Sequence, residues 1–474
     1  MILKKVYTFT LLMLLLVVLI TTAANSLKAQ VTYEYWWGGV NNDHGYAIAK
    51  TPDGNFIIVG STSSFGVGTP GYTNGFVAKI NGSTGKTIWS IWFGTPDYND
   101  KAYDVAVDTQ GNIYVTGDYG QYGGIGFLLS LNSSGYPRWA YITGESCRGV
   151  TVDFDDNVYA VFYGWSGITS SYDIILLGLT SDGSFRFTQW YYTGLNEYPT
   201  GMTTSPNGNV YAIGYRQYPI EGTYYYHIAV FNISRTDGSC IWDRYIGYGA
   251  NFYGWSLTVD EEENIYIAGS FEGIDVLIVK YNSTLNIENI KRIDLGGNND
   301  EGEGIAIDSS GSIYVVGFTN GVGEGLHDYL VLKYDSNFNL VWAKTWGTSG
   351  EDYGRAIVPH GSSMLIFGEA TATTGNLVDQ TGQVYDAFDL SSFAQTGIGA
   401  GSYPAGFIPE TVTLTQGSNW DYINTLEPGG TDAVLLSLSS QGEPIPIPEH
   451  YNPIITAISI IAAITVMSYV AKRK

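Results

Sequence analysis

Along most of the chain, apolar residues come in runs of roughly four to seven, set between short polar stretches rich in Gly, Asn, Asp and Ser. Runs this short, built from Val, Ile, Tyr and Phe, predict strands rather than helices. The most regular of them is a turn residue followed by an apolar strand ending in Gly. It occurs at 55–60, 112–117, 157–162, 209–214, 264–269, 312–317 and 363–368. Successive starts lie 57, 45, 52, 55, 48 and 51 residues apart, and six of the seven runs carry Gly at the same offset. Such a period marks a repeat architecture before any local motif is weighed.

Each run sits inside a unit of four strands. One strand precedes it (47–49, 105–107, 305–307) and closes in a polar turn such as 52–54 or 308–311. A third follows (76–80, 127–131, 228–231, 276–279, 329–332), and a fourth often places Trp five residues before Gly, as in Trp89/Gly94, Trp139/Gly144, Trp242/Gly247 and Trp342/Gly347. Tight polar turns between such strands are hairpin chemistry. Four antiparallel strands repeated radially describe an all-β, seven-bladed β-propeller. After the seventh run only a third strand remains, 432–437, while 31–38 reads like the fourth strand 87–94. The N-terminal strand of the mature chain thus completes the last blade and clasps the ring, which removes an open sheet edge.

Composition agrees with this picture. The 474 residues include 60 Gly and 38 Tyr, and only 14% are charged, against roughly 25% in an ordinary soluble domain. The two ends are different. Residues 1–29 join Lys4 and Lys5 to an apolar run and small residues at Ala24 and Ala29, the pattern of a secretory signal peptide. Residues 453–474 carry an apolar stretch closed by Lys472, Arg473 and Lys474, which predicts a transmembrane helix with a basic cytoplasmic tail. A Pro-rich spacer, 442–452, precedes it, and the propeller occupies 30–441 with 371–430 as an insertion in blade seven. Between the ends, 30–450 carries 16 basic and all 45 acidic residues, a net −29. Nucleic acid and anionic membrane surfaces are poor partners for that charge. Cys147 falls on an innermost strand and Cys240 on an outermost one, so both are expected as unpaired thiols.

The combination of Ala-Ile-Ala, Asp-x-x-Gly-Asn-x-Tyr-Val-x-Gly, Phe-Val-x-Lys and Trp…Gly resembles the SBBP family of seven-bladed propeller repeats over 31–440. The first, second and sixth units match best. That resemblance implies the fold and a surface location, and no particular activity. Pro448-Glu449, an apolar helix and a terminal basic cluster resemble the PEF-type sorting signals of archaeal surface proteins. Those usually continue with Phe where this chain has His450, so a simple membrane anchor is the reading kept.

In a propeller the first strand of each blade is innermost, which sorts the loops into two faces. One face receives the entries to the inner strands and the long loops, and it carries Asp43, Asp100, Glu197, Asp300, Glu301, Glu351 and Asp352. Among these, Asp43, Asp100, Asp300 and Asp352 are candidate ligands for Ca²⁺, a cation that favours oxygen donors. Each is equally placed to cap its own tight turn, and no single loop shows a complete calcium spacing, which favours the cap. The other face holds four glycosylation sequons, at Asn81, Asn132, Asn232 and Asn282, each expected in the turn after a third strand. Asn as a plain turn former explains them equally well.

These features point to a surface-anchored module that binds an extracellular protein, a glycan or a neighbouring surface-layer subunit through its loop-rich face, and adhesion fits the same description. The alternative is an extracytoplasmic enzyme. Thr84-Gly85-Lys86-Thr87-Ile88-Trp89 resembles the signature of quinone-dependent propellers, and Thr236–Trp242 resembles the Asp-box turn of sialidase-like hydrolases. Inter-blade packing is the simpler account of those Trp residues. No Ser/His/Asp set, phosphate loop or His-rich metal spacing stands out among five His.

Overall fold

In the repeat Asp-x-x-Gly-Asn-x-Tyr, one carboxylate gathers a whole turn. Asp108 accepts the backbone N–H of Asn112 at 2.7 Å, the Asn112 side-chain amide at 2.8 Å and the Tyr114 hydroxyl at 2.8 Å. Asp153, Asp260 and Asp308 repeat this pattern toward Tyr159, Tyr266 and Tyr314. Where blade four has Ser205 instead, Glu263 of the next blade takes the Tyr211 hydroxyl at 2.6 Å and the Ser205 hydroxyl at 2.7 Å. A side chain that bonds its own backbone two and four residues on fixes a tight turn. This is what closes the hairpin between the first two strands of these blades.

The computed structural model describes residues 34–37 and 41–371, apart from 65–70, 95–96, 121–125, 143–145, 248, 297–298, 324 and 362. It also describes 376–380, 383–386, 395–396, 414–416 and 431–439. The proposed signal peptide, spacer and membrane helix lie outside the described residues. Among the described residues, no helix is long and apolar enough to cross a membrane.

Seven antiparallel sheets follow one another around the ring. Their innermost strands are Asp43–Lys50, Lys101–Val107, Cys147–Val152, Glu197–Thr204, Phe252–Val259, Glu301–Ile307 and Tyr353–His360, defining blades one to seven. Blade seven is completed by Ser363–Ala370, Asp432–Ser439 and, outermost, Glu34–Trp37, so the clasp predicted from the sequence is present. The middle strands show no polar alternation. Phe56–Thr62, Ile313–Thr319 and Ser363–Ala370 are buried at every position, because both sheet faces lie against a neighbouring blade. The cores accordingly span pairs of blades. Ile57, Val59 and Phe93 of blade one meet Val105, Val115 and Leu129 of blade two. Trp37, Phe367 and Leu435 of blade seven meet Phe56, Ile58 and Phe76 of blade one.

Trp89 and Trp139 serve the same packing. A methyl group added to Gly135 would lie 3.0 Å from the Trp89 ring, and one at Gly183 would lie 2.9 Å from Trp139. Each indole thus covers a turn of the following blade. Cys147 and Cys240 are free thiols, on the innermost strand of blade three and the fourth strand of blade four.

Within the insertion of blade seven, the described strands lie apart from the long loops of the channel face. These strands, Asn376–Gln380, Gln383–Asp386, Gln395–Thr396 and Leu414–Gln416, pair as fifth strands on the outer edges of blades six, five, four and one. Outer strands carry unpaired backbone groups, and these pieces satisfy them.

Candidate functional site

Every innermost strand breaks register once, at the same place. In blade one Gly45 pairs with Gly60 and Ala47 with Val59, which leaves Tyr46 as an extra residue. The same one-residue bulge singles out Tyr103, Arg148, Thr200, Trp255, Glu303 and Arg355 in the blades that follow. A bulge bends its strand and re-aims the extra side chain. Here all seven extra side chains line one cavity of about 880 Å³, the central channel of the propeller. Its walls also include Lys101 and Glu301, where inner strands begin, and Tyr163, Tyr215 and Phe318 of second strands. The cavity therefore reaches the face that receives the inner strands, and Thr203, Leu257 and Ile357 carry its lining on toward the other end.

The residue before the bulge is small or a proline: Gly45, Ala102, Cys147, Pro199, Gly254, Gly302 and Gly354. The need is steric. A Cβ at Gly354 would lie 2.5 Å from Val316 and 2.9 Å from the Gly317 carbonyl, both in blade six. Three residues before the bulge stand the acidic residues singled out from the sequence. Asp43, Asp100, Asp300 and Asp352 are at most 1% exposed, and none lines the channel. Each holds loops of its own blade or of the connection that enters it. Asp100 accepts the Gly120 N–H at 2.7 Å, Asp300 the Leu295 N–H at 3.1 Å, and Asp43 the Ser64 hydroxyl at 2.7 Å. Asp352 accepts the N–H groups of Thr348 at 2.6 Å and Thr371 at 3.1 Å. Burial pushes the Asp352 carboxyl up to about 6. Among the described residues, the one group of acids close enough to share a cation is Asp275, Asp294 and Asp300, and Arg292 already engages Asp275.

Of the sequons, Asn81, Asn132 and Asn282 lie in turns after third strands, where their side-chain oxygens bond turn N–H groups. Asn232 departs from that expectation. It lies inside the strand Thr223–Ile233 and is 5% exposed. The bond from Ser234 N to Ser239 O occupies the turn position that Asn81 N to Lys86 O holds in blade one. The blade-four sequon is thus displaced two residues back into the sheet.

Two unlike walls face each other across the channel. On blades three to five, ring contacts run without a break from Trp165 to Tyr172, Tyr198, Tyr215 and Trp255, at centroid distances of 5.3, 5.9, 5.4 and 5.7 Å. The charged bulged residues are Glu303 and Arg355 on blades six and seven and Arg148 on blade three, and all three are paired, while blades one and two contribute Tyr46 and Tyr103. Arg355 donates to Glu303 at 2.7 Å and to Glu369 at 2.9 Å, and His44 bonds the same Glu369. Arg148 lies 3.7 Å from Asp118 and 4.1 Å over the Tyr103 ring. Burial works against ionised Glu369, but the His44 bond and the Arg355 charge hold its pKa below the ordinary value. Asp104 and Glu301 go the other way. Burial raises both to about 7, Glu301 further through the nearby Glu303 charge. Sequence reading missed this ring. Its signal is a position that changes chemistry from unit to unit while its small or acidic flanks recur.

Residues 88–118 and 290–324 match the SBBP β-propeller repeat family. Each stretch runs from a fourth strand into the next blade and includes an Asp turn, at Asp108 or Asp308. The chain is a β-propeller repeat protein. No curated protein matches its sequence. Among solved structures, these propeller repeats are similar to Sqt1 from Chaetomium thermophilum, with 13% identity over 85% of this chain and 98% of the other, TM-score 0.41. PorZ, a surface component of the type-IX secretion system of Porphyromonas gingivalis, gives 13% over 66% and 44%, TM-score 0.38. Pyrococcus horikoshii acylaminoacyl peptidase gives 8% over 76% and 53%, TM-score 0.43.

Proposed function

We propose that the protein is a cell-surface binding module that receives an extracellular protein, a glycan or a neighbouring envelope subunit at the mouth of its central channel. In this reading residues 1–29 direct export and 453–474 hold the chain in the membrane. One observation carries it. The flanks of the bulge recur from blade to blade, whereas the residues aimed into the channel are two Tyr, two Arg, Thr, Trp and Glu. A ring that served closure alone needs no such variety; recognition of an asymmetric ligand does. The direction of the last strand supports outward presentation. Thr431 bonds the Asp43 N–H at the channel-mouth face, and from there the strand runs away from it.

A second reading, a glycan-active hydrolase, draws on Glu301 and Asp104, channel carboxyls that titrate near neutrality and suit proton transfer. Turnover of a glycan panel that Glu301→Gln abolishes would establish it.

Full-length protein in detergent, applied to protein and glycan arrays, is expected to bind saturably and to lose that binding when Arg148 and Trp255 are both changed to Ala. Deleting 375–428 should leave binding intact, since the described strands there lie on outer blade edges. Folded protein that binds nothing, or binds equally as the double variant, rejects the reading. Loss of binding in chelator would assign Ca²⁺ a part in it.

A further inference from the structure

We infer that the channel mouth is built for a neutral saccharide chain, stacked on the aromatic wall of blades three to five and hydrogen-bonded by the charged wall opposite. The inference rests on the binding reading above and names its ligand class. A pyranose ring has an apolar C–H face and a rim of hydroxyls that both donate and accept. It therefore needs a flat, polarisable surface on one side and fixed donors and acceptors on the other. The channel supplies both. Tyr198, Tyr215 and Trp255 line it from one side, half-buried within the continuous ring series. Glu303 and Arg355, on blades six and seven, line it from the other, and Arg148 of blade three stands beside the aromatic series.

Charge decides among ligand classes. An aromatic pocket alone also suits an organic cation, but Lys101, Arg148 and Arg355 share this cavity and would repel one. An anion would meet Glu301, Glu303 and Asp104. The opposite charges are spent largely on each other, through Arg355 with Glu303 and Glu369 and through Arg148 with Asp118. What remains is a wall of oriented polar groups without a strong excess of either sign, complementary to hydroxyls. A wholly apolar ligand would strand those groups unpaired, at a cost. The volume of about 880 Å³ lies within the range of small-ligand clefts and leaves room for more than one sugar ring.

The test uses the full-length chain in detergent and three neutral probes, cellotetraose, chitotetraose and mannotetraose, backed by an array of neutral, uronic and sialylated glycans and a trimethyllysine peptide. Binding of a neutral glycan is expected, weakened roughly thirtyfold or more in Trp255→Leu, the loss typical of an aromatic anchor. Ile241→Ala, exposed on the outer strand of blade four, should bind as the parent does. Thermal melting checks each variant, and Tyr198→Leu takes the place of Trp255→Leu if that variant fails to fold. A folded protein that binds no neutral glycan, prefers acidic ones, or ignores both substitutions overturns the inference. Trimethyllysine binding lost in Trp255→Leu also overturns it, while the binding role of the channel stands. Protein capture indifferent to the aromatic variants would do the same and leave the outward-face reading. Failure to bind any ligand class would remove both.

Discussion

Arg355 of blade seven donates to Glu303 of blade six at 2.7 Å, and both are the extra residues of their bulges. The channel ring is therefore joined laterally by its own lining. The second arm of the same guanidinium holds Glu369 at 2.9 Å. Burial opposes the Arg355 charge, yet Glu303 and Glu369 raise its pKa above the ordinary guanidinium value. Removing it leaves two largely enclosed carboxylates without their cation. Arg355→Ala is expected to cost about 3 kcal/mol, at the low end for breaking an enclosed pair because the Glu303 side chain keeps 19% exposure. Arg355→Lys should recover only part, since an ammonium lacks the planar fork that serves two carboxylates. Urea unfolding of the two variants measures both. A loss under 1 kcal/mol for Arg355→Ala would mean that the ring charges are solvated individually.

Glu197 gives a pH dependence of defined sign. It is fully buried, with Arg216 4.0 Å away. Burial raises its pKa from 4.5 to about 8, only partly opposed by Thr193 and Arg216. The folded state thus holds a proton that the unfolded chain releases near pH 4.5. Stability from this group is complete below that pH and is lost as pH rises through about 8, with a slope approaching about 1.4 kcal/mol per pH unit. Glu197→Gln mimics the protonated form. It should match the parent at pH 4.5, exceed it at pH 8.5, and flatten the profile of urea midpoints between them. Parallel profiles for the two proteins would show that Glu197 is ionised in the fold.

Blade number, strand order and the clasp were legible because each depends on a feature that recurs. The Asp108-type turn needs a carboxylate, an Asn or Ser and a Tyr hydroxyl at fixed offsets, so it prints the period into the sequence. Trp37 could be assigned to blade seven because its segment reads like that around Trp92. The acids Asp43 and Asp352 were legible as recurring entries to inner strands, but their direction was not. A bulge three residues later turns Tyr46 and Arg355 into the channel, while the acids face the loops. No residue type announces a bulge whose extra member is Tyr, Arg, Thr, Trp or Glu. The pairing of the described strands within 371–430 was illegible for another reason. Which outer edges a Thr- and Gly-rich segment pairs with is set by the blades already formed.

Asn232 separates sequence motif from accessible site. It is 5% exposed within a strand, pairing with Tyr211 on one side and Trp242 on the other. Asn81, Asn132 and Asn282 are half-exposed in turns. Expressed in a host that glycosylates Asn-x-Ser/Thr, the protein should carry glycan at the three turn sites and none at Asn232. Asn232→Gln should then leave the intact mass pattern unchanged apart from the substitution, whereas Asn81→Gln removes one glycan. Peptide mapping that finds glycan on Asn232 would show that the sequon is modified before this strand joins its sheet.

Gly183 tests how blades are held to one another away from the channel. Its φ is +88°, in the region where a side chain is strained, and an added Cβ would lie 2.9 Å from the Trp139 ring of the preceding blade. Trp139 is itself fixed by its indole N–H, which donates to the Ser181 carbonyl at 3.0 Å. Gly183→Ala therefore carries two costs, about 1–2 kcal/mol from the left-handed backbone and a further one from displacing the indole. Leu285 occupies the matching turn position of blade five at φ 64°, so a side chain is tolerated where the neighbour makes room. A double-mutant cycle with Trp139→Leu separates the two costs. If the indole contact matters, Gly183→Ala should be markedly less damaging in the Trp139→Leu background. Additive losses would place the whole cost in the backbone and would reduce the Trp–turn contact between blades to simple coverage.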